Sequence, residues 1–342
     1  MKGIRYRLIS SGKRIFCNLK NDDIKILESI DFKSKKINNG KTRAGTVSNQ
    51  FGKVYAFTDE KTYLISSKKF NTELNSLLNS INYISESIDN GIESYKQNIN
   101  RIIHNVITAN AHNVQEFFLL FPQNDISRRV NKKQISYIKK IVDENSKEVS
   151  KALLKIAKNN TAMKIEFSIF QKLYNKNTRL EVRLHNVHRV IMNILYIFFA
   201  DFTDKDVYVQ VSESKCEALF DYESFHVILY HMIENATKYI KPNSKLIINI
   251  ECNKNNFVQI NLEMISLEIK DSERELIFEE GYSGDAPTKI FKNGKGLGLN
   301  IVSRLVELNN GKVDVLIDEK SLDIDNGFRY QKNIFLLQMP IE

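Results

Sequence analysis

His231-Met232-Ile233-Glu234-Asn235-Ala236-Thr237-Lys238-Tyr239 and the later run Gly294-Lys295-Gly296-Leu297-Gly298-Leu299 decide how the C-terminal half of this chain is read. The first is an Asn-Ala-x-Lys-Tyr on a helix with an apolar face. The second is a glycine cluster opening a further helix, Ile301-Val302-Ser303-Arg304-Leu305-Val306-Glu307. A magnesium-bound triphosphate takes only one or two protein oxygens, because Mg²⁺ keeps most of its shell as water and phosphate. The Asn235 amide can supply one, and Lys238, three residues on, reaches phosphate charge from the same helix face. Glycines let backbone N–H groups approach phosphates, and the start of the following helix adds favourable partial charge. Gly281-Tyr282-Ser283-Gly284 lies upstream, so the span between the two glycine clusters reads as a closing lid.

Outward from these motifs, residues after Asn175 alternate strand-like runs (180–184, 207–211, 246–250, 258–262, 312–316, 333–339) with helical ones (188–200, 223–240, 272–279, 298–308). That pattern predicts a helix layer on a mixed sheet. Upstream, apolar residues recur at three- and four-residue steps from Leu74, Leu77 or Leu78, Ile81, Ile84, Ile88, Ile92, Tyr95, Ile99 and Ile102 to Val106, with no proline before Pro122. A helix of some fifty residues with a coiled-coil-like seam follows, and it is expected to pair with a copy of itself. After the polar turn Pro122-Gln123-Asn124-Asp125, a second periodic segment runs from Ile135 towards Leu173, giving a helical hairpin. Two hairpins make a four-helix bundle. Residues 1–70 hold short alternating or aromatic runs (14–19, 53–58, 61–66) broken by Asn39-Gly40 and Gly45, which suit a small β-containing module.

The chain has 342 residues and a net charge of +9, and residues 1–70 carry sixteen Lys or Arg against six Asp or Glu. The remainder is close to neutral. A basic module suits a polyanionic partner, although a solvated surface is the more ordinary reading. No apolar run reaches the length of a membrane span and the first residues lack a secretory layout, so a cytoplasmic location is expected. Cys17, Cys216 and Cys252 are far apart without a C-x-x-C, which reads as reduced thiols rather than a zinc or disulfide framework.

With Phe278 in Leu276-Ile277-Phe278-Glu279-Glu280-Gly281-Tyr282 added, the order of Asn box, Phe box and glycine lid from about residue 180 resembles the catalytic ATP-binding domain of sensor histidine kinases, of the Bergerat fold. The resemblance implies an α+β multidomain chain: an input module (1–70), a dimerisation and histidine-phosphotransfer hairpin (71–174) forming a dimeric four-helix bundle, and an α/β ATP-binding domain (175–342). It implies ATP and Mg²⁺ as cofactors, with Asn235 on the metal. Lys238, Tyr239, Glu268, Gly281, Tyr282, Gly294, Lys295, Gly296, Leu297 and Gly298 would line the nucleotide. The family's adenine-binding Asp-x-Gly-x-Gly corresponds here to Met264-Ile265-Ser266-Leu267-Glu268. Methionine cannot accept the adenine amino group, which leaves shape and a carboxylate such as Glu268, or a degenerate site.

The resemblance also points to His104 as the phosphoacceptor, in Arg101-Ile102-Ile103-His104-Asn105-Val106-Ile107-Thr108, where Thr108 fits the end of the family's box and Asn105 replaces its usual acid. Beside Ile102 and Val106 in the seam, His104 falls on an accessible flank. His112, His185, His188, His226 and His231 are the other histidines. Related ATPases that hydrolyse ATP directly carry a glutamate four residues before the magnesium Asn. This chain has His231 there, and Glu234 is expected on another side of the helix. The implied activity is autophosphorylation of His104 followed by transfer to a response-regulator aspartate. A catalytically weak scaffold of the same fold and a nucleic-acid-responsive ATPase are the alternatives.

Overall fold

Alternation along β10 shows why the C-terminal sheet buries one face. In Phe257–Leu267, Val258, Ile260, Leu262 and Met264 are buried, whereas Gln259, Asn261 and Glu263 on the opposite face are only half-buried. The computed structural model describes residues 3–130, 132–175, 179–253, 256–289 and 296–341. Its chain forms two compact units, Met1–Asn98 and Ile99–Glu342.

In the first unit five antiparallel strands, β1 (Ile4–Ser10), β2 (Lys13–Cys17), β3 (Lys35–Ile37), β4 (Thr42–Asn49) and β5 (Gly52–Thr58), lie in the order β2-β1-β5-β4-β3. Side chains alternate across β5. Val54 packs with Leu8, Leu77, Leu78 and Ile81, and Ala56 with Ile4, Phe70 and Leu74, while Phe57 on the other face packs with Leu27, Ile30 and Ala44. Arg5 bridges Asp23 and Asp59, each at 2.7 Å. The run 61–66, one of the three expected to belong to a β-containing module, is the short helix Lys61–Ile65. Its five residues are too few for either periodicity to show.

Phe70, Leu74, Leu77, Leu78 and Ile81 belong to the 54-residue helix Ser67–Leu120. The first turns of the expected seam are therefore spent on the sheet of the same unit. An apolar period marks a face that wants burial and does not say against what. Further along, Ile88, Ile92, Tyr95, Ile103 and Ile107 are exposed.

The second unit contains the later turns of that helix, then Lys132–Glu144 and Ser146–Ile169, interrupted at Asn145 where one continuous helix was expected. Its main sheet has the order β11-β12-β10-β9-β7, formed by β7 (Tyr208–Val211), β9 (Lys245–Asn253), β10, β11 (Lys312–Asp325) and β12 (Phe328–Pro340). β7 is parallel to β9 and the other pairs are antiparallel. A two-stranded sheet joins β6 (Val182–Asn186) to β8 (Glu217–Asp221). Helices Val187–Leu195, Tyr222–Tyr239 and Gly298–Leu308 contribute Ile191, Ile194, Phe225, Ile228, Met232, Ile233, Val302 and Leu305 to one core with the inner sheet face. Residues 272–279 form two short 3₁₀ turns instead of a helix. Ile165 and Ile169, at the end of the hairpin, enter the same core.

Cys216 and Cys252 are joined in a disulfide with Cα atoms 5.9 Å apart, which corrects the reading of all three cysteines as free thiols. Their separation of 36 residues in the chain conceals a contact that the fold creates between the approach to β8 and β9.

The helix that carries Asn235 starts at Asp221, whose Oδ1 accepts from the Ser224 backbone N–H at 2.8 Å and the Ser224 hydroxyl at 2.7 Å. Its Oδ2 takes Lys172 Nζ, from the end of the hairpin, and the Glu181 N–H, both at 2.8 Å. Both side chains of the Lys172–Asp221 pair are almost wholly buried. Burial by itself would raise the Asp221 carboxyl, but Lys172 and the donors from Ser224 and Glu181 overcome it and hold the group below its ordinary value. That stabilisation is present above the unfolded carboxylate's titration, near pH 4, and is lost as the pH falls through the depressed folded value. Asp221→Asn leaves the Lys172 ammonium buried without its counter-charge. Denaturant unfolding of the second unit should show a loss of about 3 kcal/mol, with part of it recovered when Lys172→Met is added. An Asp221→Asn protein as stable as wild type would contradict this role.

Candidate functional site

Residues 231, 234, 235 and 238 are spaced i, i+3, i+4 and i+7, a single stripe of the helix. All four line one cavity of about 310 Å³. This corrects the expectation that Glu234 points elsewhere, because the 100° step from Glu234 to Asn235 still falls within a helix face of that width. Glu234 lies 3.1 Å from Lys238 Nζ and 3.7 Å from His231 Nδ1. Burial would raise its carboxyl, but the adjacent His231 and Lys238 outweigh burial and bring it down to about 2. A carboxylate that acidic is a weak proton acceptor at neutral pH.

The glycine lid meets this stripe. The Gly281 N–H donates to the Gly296 carbonyl at 3.0 Å, which ties the two ends of the span together. Gly296 has φ +65°, and a Cβ there would lie 2.3 Å from the Tyr282 carbonyl oxygen, so only glycine fits. Gly298 starts the following helix, and a Cβ on it would stand 3.6 Å from His231 Nδ1 and 3.7 Å from Asn235 Nδ2. Tyr282, Gly296, Leu297 and Gly298 line the cavity together with Asn235, Lys238 and Tyr239. Gly294 and Lys295 lie outside the described residues. The Tyr282 hydroxyl donates to Glu273 Oε1 at 2.9 Å, and the Asp285 N–H donates to the same oxygen at 2.8 Å. Burial, reinforced by that carboxylate, pushes the Tyr282 phenol up to about 12. Phe278 ends a short 3₁₀ turn, and its neighbour Ile277 faces the cavity.

At the far end the lining comprises Met264, Ser266, Leu267 and Glu268. Glu268 is held in a two-pronged pair with Arg329, at 2.7 and 2.9 Å. Beneath the lining, Asn333 donates to Ser266 Oγ at 2.9 Å and to the Leu267 carbonyl at 3.2 Å, and it accepts from Gln331 Nε2 at 3.0 Å. Asn333, Gln331 and Ser266 are all buried, so this floor is a closed polar network. Its use of the Ser266 oxygen as an acceptor leaves the hydroxyl proton as the donor to offer the cavity.

The remaining wall comes from the hairpin. Arg101 and Asn105, one turn apart, line the cavity with Glu166 from the helix Ser146–Ile169. Asn105 Nδ2 donates to Glu166 Oε1 at 2.6 Å. Arg101 Nε, Glu166 Oε2 and His231 Nε2 are buried atoms without hydrogen-bond partners, all on residues of this cavity. His104 is exposed and Thr108 half-buried, and neither is part of the lining. Arg101 could have been found from its helical step to Asn105. Glu166 could not, since 61 residues separate it from its partner.

Residues 220–338 match the histidine kinase-, DNA gyrase B-, and HSP90-like ATPase family. The C-terminal domain is a Bergerat-type ATPase domain. The chain is similar to Histidine kinase P4 of Formosa agariphila, with 23% identity over 157 residues, 44% of this chain and 11% of that protein. It is also similar to the signal transduction histidine-protein kinase ArlS of Staphylococcus aureus, with 26% identity over 140 residues, 41% of this chain and 28% of that protein. Among solved structures, the Acinetobacter baumannii histidine kinase AdeS aligns with 57% of this chain and 84% of its own at 16% identity, with a TM-score of 0.38. The matched region is thus less than a third of the length of these two curated relatives.

An acceptor for the 6-amino group would make the exchange of adenine for hypoxanthine costly. Met264 offers none, and Glu268 is committed to Arg329. Calorimetric titration should give dissociation constants for magnesium-ATP and magnesium-ITP within about tenfold of each other, since no buried group is left unpaired by the swap. A preference for ATP far beyond that factor would reveal an acceptor elsewhere in the lining.

Proposed function

We propose that the chain is a protein histidine kinase of a two-component system that transfers the γ-phosphoryl group of ATP to His104. The observation that carries this reading is the meeting, in one cavity, of the Asn235 stripe, the glycine lid and Arg101 and Asn105 on the hairpin turn that flanks His104. In this reading the Asn235 amide oxygen holds Mg²⁺, which neutralises triphosphate charge when bound. Lys238 and Lys295 balance the remaining negative charge, and the 281–298 lid closes over the nucleotide.

His104 swings from its exposed position towards the cavity and attacks with a ring nitrogen. The N–P bond forms as the bond from the γ-phosphorus to the bridging oxygen breaks, and ADP leaves with that oxygen's negative charge. Catalysis rests on alignment and charge neutralisation. The phosphoryl group then passes to an aspartate of a receiver domain. The exposed stripe Ile88, Ile92, Tyr95, Ile103 and Ile107 supports pairing of two hairpins as a homodimer. Water activation has less support, because His231 stands where the resembling hydrolases place a glutamate.

Incubation with γ-labelled ATP should place acid-labile label on wild type. It should place none on His104→Gln, which keeps nucleotide binding, and none on Asn235→Ala, which binds magnesium-ATP at least about tenfold more weakly. Labelling of His104→Gln at the wild-type rate would remove His104 as the acceptor.

A further inference from the structure

The residue after the acceptor is an amide where the resembling family places an acid, yet a carboxylate is present one hydrogen bond away. Asn105 Nδ2 donates to Glu166 Oε1 at 2.6 Å across the two helices of the hairpin. Glu166 Oε2 is buried without a partner, so the side chain is not spent on a surface ion pair. Asn105 lines the cavity, and His104, adjacent to it on the same turn, is exposed.

Resting on the kinase reading above, we propose that Asn105 and Glu166 act as one unit. Glu166 is a positioning residue whose negative charge reaches the His104 imidazole through the Asn105 amide. A short amide-to-carboxylate bond polarises the amide and makes its Oδ1 a stronger acceptor. That oxygen takes the N–H of the ring nitrogen that does not attack, which turns the other nitrogen towards the phosphorus. As the N–P bond forms and the phosphorus–oxygen bond to ADP breaks, positive charge develops on the imidazole. The N–H proton stays on the ring, hydrogen-bonded to Asn105 Oδ1, and the Glu166 carboxylate balances the charge from the far side of the amide. The acid is thus carried by the facing helix rather than by the residue after the histidine.

This arrangement makes a specific demand: the carboxylate can stand at either position, but not at both and not at neither. Two carboxylates 2.6 Å apart cannot both ionise freely. Single-turnover labelling by γ-labelled ATP, with magnesium-ATP affinity measured in parallel on the full chain, separates the cases. Glu166→Gln, nearly isosteric, should label about 10- to 100-fold more slowly at saturating magnesium-ATP, with no loss of magnesium-ATP affinity. Asn105→Ala should slow labelling by a similar factor, and adding Glu166→Gln to it should slow it no further. Asn105→Asp alone should also be slow. The exchanged pair Asn105→Asp/Glu166→Gln should return to within about threefold of wild type, a rescue that a merely structural contact would not give. Wild-type labelling rates in Glu166→Gln, or an exchanged pair no faster than Glu166→Gln, overturn the proposal while leaving the kinase reading intact. A wild type that binds ATP and never labels His104 defeats the kinase reading, and this inference with it.

Discussion

One buried carboxylate ties the helix that carries Asn235 to the end of the helical hairpin. Asp221 caps that helix through Ser224 and receives Lys172 from the hairpin. Its own N–H donates to Asn309 Oδ1 at 2.8 Å, just past the helix that follows the lid. Three segments distant in the chain, near residues 172, 221 and 309, are fixed to one another at this point. A wrong angle for the Asn235 helix would carry Asn235, Lys238 and Glu234 away from the glycines that close on them. Ile165 and Ile169 add apolar packing beside the same junction, so the hairpin leaves the domain in a defined direction.

From that junction the cavity acquires its character. The Asn235 stripe and the lid are mostly satisfied internally, through Glu234 with Lys238 and through Tyr282 with Glu273. Its unpartnered atoms, Arg101 Nε, Glu166 Oε2 and His231 Nε2, sit where the hairpin faces the stripe. The far end has a closed network of Ser266, Asn333 and Gln331 beneath its lining. The two ends of one cavity therefore differ: Arg101, Asn105 and Glu166 of the hairpin wall one, and Met264, Ser266, Leu267 and Glu268 line the other.

Much of this was legible in the chain because local periodicity and glycine chemistry are local signals. The Asn235 helix, expected over 223–240, spans Tyr222–Tyr239, and the helix expected over 298–308 spans Gly298–Leu308. Strands rich in alternating apolar residues, such as β9 and β12, were found for the same reason. Sequence reading failed where a feature depends on distance in the fold. The Cys216–Cys252 bond, the Asn105–Glu166 bond and the burial of Leu77 and Ile81 against a sheet all join segments that no local pattern relates. One helical step turns a side chain by too little to take Glu234 off the Asn235 face, and the five-residue helix at Lys61 is too short to register a period.

The central claim is that the cavity holds a metal-bound triphosphate between Asn235 and the lid. Anomalous diffraction from crystals of the full chain grown with Mn²⁺ and a non-hydrolysable ATP analogue tests it most directly. A manganese peak is expected beside the Asn235 amide oxygen, with the triphosphate against Gly296–Gly298 and its terminal phosphate towards Arg101. An analogue bound elsewhere, or a metal peak away from Asn235 with the cavity filled by the chain's own side chains, would contradict it.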